Sequence, residues 1–112
     1  MKCKEVELEM PEGYKRDVTV CDDVKLPTHI KGATNKTNLI LISEYLDDLG
    51  IPYPELYVWI HESNHVKYPR KSEYEIRRMS DREYERKTGI KIDTTSYFNY
   101  IKNLKNLQLG FD

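Results

Sequence analysis

Cysteine is scarce in this chain: Cys3 and Cys21 are the only two in 112 residues. Two are too few for the disulfide framework of a small secreted scaffold. Neither belongs to a C-x2-C pair, and adding His29 and His65 supplies no H-x3-H spacing, so a four-ligand structural zinc site is not indicated. The segment MKCKEVELEM has no apolar signal core, so the expected address is cytoplasmic; opposed across a hairpin the two thiols could form one bridge, but the favoured expectation is that both are reduced and pack as small hydrophobes. Glycine is also sparse. None of the five falls in a GxGxxG or GxxxxGK pattern, which argues against the familiar phosphate-binding loops. No apolar run approaches the roughly 18 residues that cross a bilayer, so no membrane partner is expected. An excess of one charge is missing too. With 18 Lys+Arg against 19 Asp+Glu, neither a histone-like polyanion binder nor an acidic DNA mimic fits. The balanced charge also does not suggest disorder.

What is present is enough for one domain spanning 1–112, with a modest core to which nine tyrosines add apolar area. Residues 3–9 alternate, with Lys4, Val6, Leu8 and Met10 on one face and Cys3, Glu5, Glu7 and Glu9 on the other, as in a half-buried strand. Pro11-Glu12-Gly13 offers a turn, and Val18 and Val20 mark a second strand, so the chain is expected to open with a β-hairpin. Residues 27–36 read as a polar connection. Leu39, Ile42, Tyr45, Leu46 and Leu49 recur at helical spacing, and Gly50 and Pro52 follow, which predicts a long helix over 37–49. Residues 55–61, Glu-Leu-Tyr-Val-Trp-Ile-His, are rich in aromatic and β-branched types and predict a strand within a small antiparallel sheet. Ser63-Asn64 would then be a turn.

Further on, Ser72 with Glu75 and Ser80 with Glu83 both have capping-box spacing. The charged stretch is therefore either one helix over 72–88 or a strand ending near Met79 followed by a helix, and the alternation of Tyr74 and Ile76 favours the second. A last helix is expected from Asp93 or Thr94, with Tyr97, Tyr100, Ile101, Leu104 and Leu107 on one face. The expected class is α+β: an N-terminal β-hairpin, a long helix, a small antiparallel sheet around 55–61 and two C-terminal helices.

Charge is distributed unevenly. Residues 1–56 hold 7 Lys+Arg and 11 Asp+Glu, while residues 57–112 hold 11 and 8, so any polyanion contact is expected in the second half. There, residues 80–107 resemble the helix-turn-helix of DNA-binding regulators. Tyr84 matches the inward contact of the first helix, Gly89 the corner glycine and Ile90 the residue after it. Glu85 departs from the small residue usual at the helix crossing, and the turn 91–93 is long. The resemblance implies that the second helix reads DNA through Thr95, Ser96, Asn99, Lys102, Asn103 and Asn106, with Arg82, Arg86, Lys87 and Lys91 against phosphates.

The sharpest short motif is His61-Glu62-Ser63-Asn64-His65, an HExxH pattern. In zinc metallopeptidases this spacing places two imidazoles on one helical face with the glutamate as general base. A strand through 57–61 removes that geometry. Glu73, Glu75 and Asp81 are candidate third ligands only because carboxylates are abundant. The leading expectation is therefore a non-enzymatic binding module without a cofactor, occupying a protein or nucleoprotein surface. The Lys-, Asn-, Ile- and Tyr-rich composition fits a phage or mobile-element accessory or inhibitor protein. Its expected contact residues are Arg77, Arg78, Arg82, Tyr84, Arg86 and Lys102, since tyrosine and arginine dominate binding hot spots. A helix-turn-helix regulator ranks second. A small zinc hydrolase using His61, His65 and Glu62 ranks third.

Overall fold

A computed structural model of the chain describes residues 1–96. By its internal contacts the chain divides into two compact units, Met1–Lys71 and the residues from Ser72 onward. The architecture is α+β: a four-stranded mixed sheet, two long helices and a short 3-10 turn. Among the described residues no helix is long and apolar enough to cross a membrane.

In the first unit, β1 (Lys2–Glu9) pairs antiparallel with β2 (Lys15–Val24). Gly13, at φ 97°, turns the chain between them. Cys3 and Cys21 are register partners and form a disulfide. The expectation of two reduced thiols fails because opposed positions of an antiparallel pair bring the two Cα atoms to 4.0 Å. β3 (Gly32–Thr34) and β4 (Leu39–Ser43) pair antiparallel, β4 runs parallel to β2, and the strand order is β1-β2-β4-β3. Asn35 shapes the β3–β4 connection: its Oδ1 accepts from the backbone N–H groups of Thr37, Asn38 and Leu39 at 2.9–3.0 Å.

The long helix expected over 37–49 is absent. Ile40 and Ile42 alternate with Leu39 and Leu41, and their branched side chains suit a pleated strand. As β4 this run buries Ile40 and Ile42 in the core. The Gly50 signal is correctly placed but closes a much shorter element. Gly50 is left-handed, at φ 68°, after the 3-10 turn Asp47–Leu49. Asp48 there pairs at 2.7 Å with Lys31, whose Nζ also donates to the carbonyl of Thr28.

The strand expected at 55–61 is also corrected. Residues Pro54–Lys67 form one continuous helix, α1. Pro54 opens it, where a missing N–H costs nothing. The backbone N–H of Tyr68 donates to the Asn64 carbonyl at its end, just before Pro69. Every residue from Ile60 to Val66 is buried. A helix enclosed on nearly all sides has no polar stripe, so its period cannot be read from hydrophobicity. α1 packs on β3 and β4. Val58 and Val66 join Leu8, Met10, Val18, Val20, Ile40 and Ile42 in the core.

The second unit begins with α2 (Glu73–Thr88). Ser72 caps it by accepting from the Glu75 backbone N–H, and left-handed Gly89 ends it. The strand favoured up to Met79 does not form. Ser80 is a buried mid-helix residue, on one face with Ile76 and Tyr84, so only the Ser72–Glu75 pair acts as a cap. Residues 94–96 are helical. The side chain of Asp93 accepts from the backbone N–H groups of Thr95 and Ser96. The Thr95 hydroxyl, then the Ser96 hydroxyl and backbone, hold the Asp93 carboxyl down at about 2. This cap therefore persists through mildly acidic pH and is lost as pH falls through about 2. The continuation of the expected last helix, from Tyr97 to Leu107, lies outside the described residues.

Ile40 has no exposed surface. Ile40→Ala is expected to cost about 2–5 kcal/mol, read as a lower urea midpoint with an unchanged slope.

Candidate metal centre

α1 places His61 and His65 one turn apart, four residues along a helix of 3.6 residues per turn. Their rings meet edge to face, with centroids 4.9 Å apart, and Tyr57 lies one turn earlier, 6.1 Å from His61. Both imidazoles are buried, as is Glu62 between them. Ser63, the next residue, donates its hydroxyl to the Ile60 carbonyl at 3.0 Å and so satisfies itself within the helix. The HExxH residues thus have the helical geometry that a strand would have denied them.

One ring nitrogen each from His61 and His65 lies within 4.8 Å of the other. Ligands at about 2.0–2.2 Å around a tetrahedral zinc are roughly 3.3–3.6 Å apart, so the two nitrogens are within side-chain reach of one shell. Two imidazoles are a donor pair that zinc uses where another position is left for water or substrate. The chemistry of these side chains therefore fits the metal. The three carboxylates considered from sequence, Glu73, Glu75 and Asp81, belong to the second unit. Asp81 accepts from the backbone N–H and hydroxyl of Thr94 at 2.9 and 2.8 Å.

A residue that sequence reasoning passed over completes the surroundings of Glu62. Gly32, in β3, faces α1 so closely that a Cβ built on it would fall 2.6 Å from Val58 Cγ1 and 2.9 Å from Glu62 Cγ. Only glycine lets the strand approach α1 this closely. The residue had been assigned to a polar connection, where a lone glycine carries no signal of its own.

The expected contact residues are not drawn together in a comparable way. Arg77 is half-buried and pairs with Glu73 at 3.2 Å along α2. Arg78 is exposed, with its guanidinium 5.9 Å from the centre of the Tyr74 ring. Arg82 and Arg86 are exposed. Tyr84 has no exposed surface and packs inward. Lys102 lies outside the described residues, as do Asn99, Asn103 and Asn106. Thr95 and Ser96, assigned to base contacts by the helix-turn-helix resemblance, are engaged with the Asp93 carboxylate. The short first helix of that resemblance is replaced by α2, which begins at Glu73. No family model matches the chain, and no curated protein or solved structure is detectably similar to it.

Gly32→Ala forces Glu62 or Val58 to move. The variant is expected to lose about 1–3 kcal/mol of stability by overpacking, measured by denaturant titration. A variant as stable as the parent would show that β3 does not press on α1 at this point.

Proposed function

We propose that this chain is a zinc-dependent hydrolase acting on an extended peptide, with His61 and His65 holding the metal and Glu62 serving as general base. The observation that carries this reading is the pair of buried imidazoles one turn apart on continuous α1, with Glu62 between them.

When bound, zinc supplies Lewis-acid polarisation of a carbonyl and lowers the proton affinity of water. The chain's own groups do the rest. His61 and His65, fixed by the helix backbone, orient the site, and burial limits exchange with bulk water. Glu62 takes the proton from the attacking water as the new C–O bond forms. It then delivers that proton to the leaving nitrogen as the C–N bond breaks. β3 lies at the end of the strand order, so one of its edges is unpaired among the described strands. Its residue Gly32 adjoins Glu62. An extended peptide laid along that edge by backbone hydrogen bonding would pass beside the general base.

A surface-occupying binding module had ranked first while 55–61 was expected to be a strand. With those residues in α1, the objection to paired imidazole ligands disappears, and no arrangement of the arginines offsets it.

The purified protein is expected to bind about one equivalent of zinc, read by elemental analysis, with a rise in melting temperature when zinc is added to the stripped protein. His61→Ala and His65→Ala should each weaken that binding. Glu62→Gln should keep the metal while slowing cleavage of a fluorogenic peptide mixture by about 10²-fold or more. A stripped protein whose melting temperature ignores zinc would remove the metal assignment. Metal binding without hydrolysis, or hydrolysis unaffected by Glu62→Gln, would remove the catalytic one.

A further inference from the structure

The first unit contains a recess built from other residues than the imidazole pair. α1 packs on β3 and β4, and beside its N-terminal end the sheet face over β1 and β2 opens into a groove of about 900 Å3. The floor is apolar: Val6, Val20, Ile42, Leu56 and Trp59 line it. Its polar lining is dominated by acid. Asp22, Asp23, Glu44, Asp47 and Glu55 line it against two ammonium groups, Lys2 and Lys4.

Two features mark the acid contributed by β2. β2 breaks register between Cys21 and Val24, and Asp23 within that break is left-handed at φ 52°. Bulges of this kind redirect side chains and recur beside functional sites. The second feature is Asp22, whose Oδ1 is buried and has no hydrogen-bond partner among the described residues. A buried carboxylate oxygen without a donor is costly to maintain, and a cationic donor entering the groove would satisfy it. These carboxylates do not converge as ligands of a single ion: none of them belongs to a group of three or more potential metal ligands among the described residues. The acid is spread along a groove, which suits several separate cationic groups better than one metal.

We propose that this groove binds a cationic amphipathic peptide segment, with arginine or lysine side chains against Asp22, Asp47 and their neighbours and aliphatic side chains on Val20, Ile42 and Trp59. The charge of the lining selects the occupant. An excess of carboxylates repels nucleic acid and anionic lipid, while the apolar floor favours a peptide over a simple polyamine. The assignment is independent of the metal reading, because it uses none of His61, Glu62 or His65.

Trp59 is the chain's only tryptophan, so its emission reports on the groove. The test titrates the full chain with a short peptide alternating arginine and leucine, and with two controls: glutamate in place of arginine, and serine in place of leucine. A saturable change in Trp59 emission is expected with the first peptide only, weakening about tenfold at high salt. Asp22→Asn combined with Asp47→Asn should weaken binding by about tenfold. So should Glu44→Gln combined with Asp47→Asn, both exposed positions whose change leaves the fold intact by circular dichroism. Glu62→Gln should bind like the parent whether or not the chain proves to be a hydrolase. The proposal is overturned by no saturable change with the arginine–leucine peptide, by equal binding of either control, by unaltered affinity in both double variants, or by loss of binding in Glu62→Gln.

Discussion

Burying a polar turn in the middle of a helix is the constraint around which the first unit is organised. His61, Glu62, Ser63, Asn64 and His65 are all removed from water, and side chains of these types lose several kcal/mol on burial unless the surroundings supply partners. Ser63 meets its need from the helix itself. The rest of α1 offsets the cost with apolar contact, through Val58, Ile60 and Val66. β3 approaches so closely that its first residue has to be Gly32.

Legibility in the sequence followed the degree of one-sided burial. β1 was readable because Val6, Leu8 and Met10 alternate with glutamates across a half-exposed strand. Gly50 and Gly89 were readable because each stands where a left-handed residue is needed. α1 was not, because it is enclosed and its buried positions include imidazoles, a carboxylate and an amide, which hydrophobic periodicity counts as exposed. Its aromatic and β-branched residues then pointed to a strand. β4 failed for the opposite reason. Leu39, Ile42, Leu46 and Leu49 satisfy a helical period by coincidence, although the first two belong to a strand and the last two to the loop and turn beyond it.

The candidate site was half legible. The HExxH letters name two candidate ligands and a candidate base, but their meaning depends on the backbone between them, which local propensity misjudged. No further ligand could be distinguished among the carboxylates of a chain with 19 acidic residues. Gly32 is detectable only once β3 is laid on α1.

The covalent link between Cys3 and Cys21 spans 18 positions. Closing a span of that size narrows the unfolded ensemble by about 3 kcal/mol at 25 °C. It fastens the outermost strand, which lies at the far end of the sheet order from the strand that carries Gly32. Thiol reductants would therefore loosen the acidic recess, which β1 helps to line, before they reached the imidazole pair. The redox state of the surroundings would then act unequally on the two proposed binding places.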